Sequence, residues 1–191
     1  RVSHLPATRA WTALSVIALA FSGCAEERAV GHELDHPALG LEGAVSTLGD
    51  VGRSALAALA EGDVTALQAL RLTEHEHNEV VWPELPASAP EVNFPVDFAW
   101  SNIESRNASA LSRIAPIYEG QALVFQDVEC HGDVQTFESF QVLTDCWVVF
   151  TREGSADVWQ ARLFKDVVVR GGGHKIFRYY DGEPRRYSEG A

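Results

Sequence analysis

Positive charge is scarce in this chain: 15 Lys and Arg stand against 27 Asp and Glu, a formal charge of −12. A phosphate-tracking surface needs clustered cations, so the balance excludes nucleic acid as a partner, and an anionic lipid surface would repel the chain as well. Long apolar runs are also missing. The longest, Ala10 to Phe21, is too short to span a bilayer. Methionine is absent altogether, at the first residue too, which leaves the true start of the chain open. Cysteine occurs only at positions 24, 130 and 146. What is present suits one folded domain: 191 residues, 46% hydrophobic and 22% charged, with five Trp, no internal repeat and no low-complexity tract.

Arg1 and Arg9 precede the apolar run, and residues 1–23 read as a secretory signal peptide. Phe21-Ser22-Gly23-Cys24 resembles the bacterial lipobox, which implies acylation of Cys24 and a lipid-anchored protein of the cell envelope. A cleaved signal with a structural Cys24 is the alternative. Removal of residues 1–23 takes away two Arg and no acid, raising the formal charge to −14. Such an excess favours solubility. By analogy with enterobacterial lipoproteins, Ala25 after the Cys favours the outer membrane. Residues 24–43 are polar, carry Gly31, Pro37, Gly40 and Gly43, and read as a tether. The expected domain is 44–182, with a tail over 183–191.

Val45, Leu48, Val51, Ala55, Leu56 and Leu59 recur three or four apart and predict a helix over 44–61. Gly62 closes it, Asp63 caps a second short helix carrying Leu67 and Leu70, and Thr73 with Glu76 forms a capping box for a third. Pro86, Pro90 and Pro95 make the next stretch a rigid loop. Val96, Trp100, Ile103, Asn107, Leu111 and Ile114 then form the stripe of a long amphipathic helix that Pro116 stops. From Gln121 the period changes to two. Strands are expected over 121–130, 136–151, 157–169 and 174–181. In the second, Phe140, Val142, Thr144, Cys146, Val148 and Phe150 are expected on one face. Gly171-Gly172-Gly173 supplies the positive φ of a closing hairpin. The fold class is α+β, N-terminal helices packed on a curved antiparallel sheet that bends around the long helix.

Ala57-Ala58-Leu59-Ala60-Glu61-Gly62-Asp63-Val64-Thr65-Ala66-Leu67 and the hairpin from Arg170 to Tyr180 resemble the nuclear transport factor 2-like superfamily, which includes ketosteroid isomerases and polyketide cyclases. The resemblance spans about 44–181 and implies a cone-shaped domain enclosing a pocket; such domains often pair as dimers. An early short strand between the helices, usual in that group, is not evident. The group's isomerases use a carboxylate base with neutral hydrogen-bond donors. No Asp, Tyr or His here matches those positions, so no catalytic residue is assigned.

His32-Glu33-Leu34-Asp35-His36 fits the HExxH zinc-protease pattern, in which two His on one helical face hold the metal and Glu is the base. Gly31 and Pro37 flank it, so it reads as a chance match, with zinc proteolysis the remote alternative. His75 and Glu79 have i,i+4 spacing for a shared metal, but acids also favour a helix start. His131 beside Asp133, read at a hairpin turn, is either an acid–base pair or ordinary turn chemistry, and His174 has the same double reading. Asn107 interrupts the apolar stripe; it either points into a polar pocket or bonds a neighbouring strand. Trp100, Ile103, Asn107, Phe177 and Tyr179 are the expected pocket lining. No metal and no cofactor is expected.

Export permits a disulfide, and with Cys24 lipidated the remaining pair is Cys130–Cys146. A tight turn near Gly132 would put Cys130 opposite about Thr136, so a direct bridge requires the strand break near Glu138. Two buried free thiols are the alternative. The functional expectation is a non-catalytic envelope protein binding a small ligand or a protein partner, with a pocket isomerase or hydrolase as the alternative.

Overall fold

A computed structural model describes residues 40–187. The helices form where capping and apolar spacing agree. Thr47 caps α1 (Leu48–Glu61) by accepting from Asp50 N, Gly62 ends it at φ 70°, and Asp63 caps α2 (Val64–Ala69) through Ala66 N. Thr73 and Glu76 make the reciprocal capping box of α3 (Glu74–Glu76). α1 starts four residues later than the period suggests, because Val45 is held in an antiparallel bridge with His174. After α3 come a π turn over His77–Val81 and 3₁₀ turns over Trp82–Glu84 and Pro86–Ser88, so the proline-rich stretch is not wholly irregular. α4 runs Val96–Tyr118 and contains Pro116 two residues before its end, where few helical bonds remain to be lost.

All strand pairs between β1 (Leu123–Cys130), β2 (Gln135–Thr136), β3 (Gln141–Thr144), β4 (Cys146–Arg152), β5 (Val158–Ala161), β6 (Phe164–Arg170), β7 (Gly173–Tyr179) and β8 (Arg185–Arg186) are antiparallel. They form two four-stranded sheets, ordered β1-β4-β5-β8 and β2-β3-β6-β7. The register shows the sheets to be halves of one long hairpin, 141–152 against 158–170: Thr144 pairs with Asp166 and Val148 with Ala161. Three residues therefore oppose four between these pairs, a bulge that bends the hairpin. Gly171 and Gly172, at φ 56° and 78°, turn β6 into β7. β8 lies in the stretch read as a tail and extends the first sheet, while Leu41 at the tether's end is buried.

The bulge corrects one expectation. Asp145 takes φ 55°, so Leu143 packs on the same core as Cys146, Val148 and Phe150, while Phe140 and Val142 join a second cluster. The six residues expected on one face are divided by this one-residue slip, which reverses side-chain direction. Between α2 and α3 the backbone makes one isolated parallel bridge, Arg71 with Ile176, with Leu72 N donating to Ile176 O and Ile176 N to Leu70 O. One isolated bridge has no alternating pattern to read.

The main core lies between α1, α2, α4 and one sheet face, with Val51, Leu56, Leu59, Ile114, Phe150, Val167, Ile176 and Tyr179 fully enclosed. A Cβ at Gly52 would meet the Phe125 ring at 2.9 Å, so α1 packs on β1 only because this position is bare. The second cluster, Leu41, Leu72, Val81, Phe140, Val142 and Val168, covers the opposite face of β3 and β6 under the 72–94 segment. Cys130 pairs directly with Cys146 and the two are disulfide-bonded. The register works because Phe137 N donates to Phe140 O, placing the turn around Glu138 and Ser139 rather than at Gly132.

Candidate functional site

Strand alternation places Val142, Thr144, Asp166, Val168, Lys175 and Phe177 on the face of the second sheet turned away from α1. The 72–94 segment covers part of this face and is fastened by a buried ion pair. Lys175 Nζ donates to Glu76 Oε2 at 2.8 Å, with Lys175 2% and Glu76 6% exposed. The same carboxylate accepts from Thr73 N and Glu42 N. Burial alone would raise the Glu76 pKa; the Lys175 hydrogen bond, the backbone donors and the ammonium charge together hold it below the usual carboxylate value.

Beside the clasp, His77 is fully buried. Its Nδ1 meets Asn78 Oδ1 at 2.7 Å, its Nε2 has no partner among the described residues, and its ring lies 5.3 Å from Trp100, 5.9 Å from Trp82 and 6.3 Å from Phe177. Burial pushes its pKa down, against smaller opposing effects from Asn78 and Glu74. His77 is therefore a neutral member of an aromatic cluster.

Where the cover stops, at the bend of the long hairpin, a cleft of about 520 Å³ opens. Val81, Leu85, Val142 and Phe177 supply its apolar side; Gln135, Thr144, Asp145, Arg162, Lys165 and Asp166 supply its polar side. Its size falls within the range of small-molecule sites. The positive φ of Asp145 turns its carboxylate to Arg162, with which it forms an ion pair, and to Trp147 Nε1 at 3.3 Å. The Arg162 guanidinium is set between aromatic faces, 4.6 Å from the Trp147 ring centre and 5.4 Å from that of Tyr180, and its buried Nε has no partner among the described residues. Burial raises the Asp166 pKa, Lys165, Arg178 and Arg162 lower it, and Asp145 adds to the rise. The arrangement can hold a small molecule against Phe177 and offer it a fixed cation and a carboxyl group that protonates more readily than a free Asp. Among the described residues, no group of three His, Cys, Asp or Glu could hold a metal.

The expected pocket residues do not converge on this cleft. Phe177 lines it; Trp100 lies tilted against His77 and is half-buried; Ile103 is half-buried on α4. Asn107 and Tyr179 sit in the main core, where Tyr179 N donates to Asn107 Oδ1 at 2.8 Å and Tyr179 Oη to Leu67 O at 2.8 Å. Of the two roles open to Asn107, bonding a strand is the observed one. His75 and Glu79 are exposed, and the inward residues of that cluster are Glu76 and His77. His131 and Asp133 are exposed in the break between β1 and β2 rather than at a hairpin turn, and His131 Nε2 lies 3.4 Å from Glu129 Oε2. His174 is half-buried, its backbone paired with Val45. Cys24, His32, Glu33 and His36 lie outside the described residues.

Sequence reasoning missed Asp145, Arg162, Lys165 and Asp166. The available signal was an acid interrupting each of two apolar strands; nothing in one dimension says that the two interruptions meet. Comparison with family models, with curated proteins and with solved structures gives no match.

Proposed function

We propose that this is a lipid-anchored envelope protein, attached through Cys24, whose nuclear transport factor 2-like domain holds a small ligand without transforming it, in the bend cleft rather than between helices and sheet. The single supporting observation is the division between the two sheet faces. The face under α1 and α4 is filled by core, whereas the opposite face carries an open cleft with an apolar side and a rigid Arg162–Asp145 pair. The ligand class is a small amphipathic molecule with a flat or apolar body for Phe177 and hydrogen-bonding groups for Arg162, Lys165 and Asp166. Pairing of two copies through an exposed sheet is part of the same proposal.

One observation favours the enzyme alternative: Asp166 has a raised pKa through burial, although three cations, Lys165, Arg178 and Arg162, oppose the rise, and a buried carboxyl with a shifted pKa is the setting of a general acid or base. Native mass spectrometry of the protein taken gently from its membranes separates the readings. The binding reading expects a small molecule of constant mass, retained in Asp166→Asn and lost in Val142→Trp, which fills the cleft. A second mass that accumulates with time in the parent chain but not in Asp166→Asn would replace it with the enzyme reading. Cys24→Ala should move the chain out of the membrane fraction; a chain that stays there refutes the anchor.

A further inference from the structure

A second concavity, independent of the bend cleft, lies between α2 and α4. It encloses about 350 Å³ between Val64 and Leu67 on one helix and Ala108, Leu111 and Ala115 on the other, and Arg71 and Glu104 stand at its polar end. Arg71 is 8% exposed. A guanidinium carries five donors, and burying it without acceptors is costly. Here Nη2 reaches Glu104, while Nε is buried with no partner among the described residues. Glu104 is a weak counter-ion, its side chain 44% exposed and open to solvent screening. Burial lowers the Arg71 pKa, yet a guanidinium stays cationic.

Arg71 is also held in place. Its backbone is bridged to Ile176, its guanidinium lies 6.0 Å from the Trp100 ring centre, and α2 is tied to β7 by the bond from Tyr179 Oη to Leu67 O. A rigid, under-satisfied cation at the end of an apolar groove is a preorganised carboxylate receptor. The acidity of the whole chain does not forbid this, because exposed charges beyond about 8 Å are screened at physiological salt.

We propose that this groove binds a monocarboxylate with an unbranched apolar tail, the carboxylate forming a bidentate pair with Arg71 and the tail lying along Leu67 and Leu111. Glu104 occupies the guanidinium in the empty groove and is displaced by the ligand's carboxylate.

Calorimetric titration of the full chain with octanoate, octylammonium and acetate tests it. Octanoate should bind one to one; octylammonium, with the same tail and opposite charge, and acetate, with no tail, should not. Glu104→Gln removes the competing acid and should tighten octanoate binding about tenfold. Ala108→Trp, at an exposed position of α4 that lines the groove, should abolish binding while leaving the melting temperature and circular dichroism unchanged. The proposal is overturned if octanoate shows no saturable binding, if octylammonium binds equally well, or if Glu104→Gln weakens the complex. Octanoate retained in Ala108→Trp but lost in Val142→Trp would place it in the bend cleft and also overturn the proposal, whereas loss of the bend-cleft reading alone leaves these expectations intact.

Discussion

The two faces of β6 and β7 are covered by different means. Val167 and Ile176 look into a core closed by regular helices, while their neighbours Val168 and Phe177 look at a segment built of α3, one π turn and two 3₁₀ turns. Helices bring apolar stripes of repeating shape, which interdigitate with the sheet and leave little space. The irregular cover has no such stripe, and its anchor is polar: Glu76 on Lys175, with His77 lodged among aromatic rings. Such a cover ends abruptly, and the bend cleft opens at its edge. One face of a sheet can thus serve stability while the other keeps a concavity.

The largest expected effect tests whether the polar clasp is as essential as the helical core. Glu76→Ala leaves Lys175 buried and unpaired, and should cost about 3–5 kcal/mol in urea denaturation. A Glu76→Leu, Lys175→Met double variant should recover part of that loss, since the bare charge causes most of it. If the single variant costs no more than an exposed substitution, the two faces are not held as described.

Next comes the disulfide. Its chain closure should stabilise by about 3 kcal/mol, so Cys130→Ala with Cys146→Ala lowers the unfolding midpoint by a comparable amount. Two reactive thiols appearing at positions 130 and 146 in the unfolded, unreduced chain would refute the bridge.

Trp100 sharpens the comparison within one helix. Full burial along the α4 stripe would make Trp100→Ala a loss of about 3–5 kcal/mol. Trp100 is half-buried, in contrast to Ile114 and Asn107, so the expected loss is about 1–2 kcal/mol by apolar area. A larger value would mean that the aromatic cluster around His77 contributes as much as the core.

The smallest effects are pH-dependent. The folded His77 pKa lies below its ordinary 6.5, so the unfolded chain takes up a proton first as pH falls. Stability due to this group is complete above pH 6.5 and declines on acidification through the window down to the folded pKa. His77→Leu should flatten that decline. Asp166 has the opposite sense: a raised folded pKa disfavours its charged form, so it weakens the fold above its folded pKa and ceases to do so below 3.8. Asp166→Asn should therefore raise the melting temperature near neutral pH, by an amount that vanishes in acid. An unchanged melting curve at both pH values would show that Asp166 is solvated.

Local chemistry was legible from the chain. Asp63 and the Thr73–Glu76 box act on donors within three residues, and Gly171 and Gly172 turn the chain where they stand. Apolar spacing likewise identified the helix stripes, the strand segments and the α+β class, because periodicity of 3.6 or 2 is a property of consecutive residues. Tertiary structure alone decided what depends on register and on which elements meet. The slip at Asp145 moved Phe140 and Val142 to the opposite face, and the turn at Glu138 and Ser139 rather than Gly132 set Cys130 against Cys146. Glu76 met a lysine 99 residues away, and Asp145 and Asp166 met beside Arg162 at a bend formed by three residues opposing four. A single extra residue in one strand reverses every side chain beyond it at almost no local cost, so the sequence could announce strands and caps but not the cleft they would form.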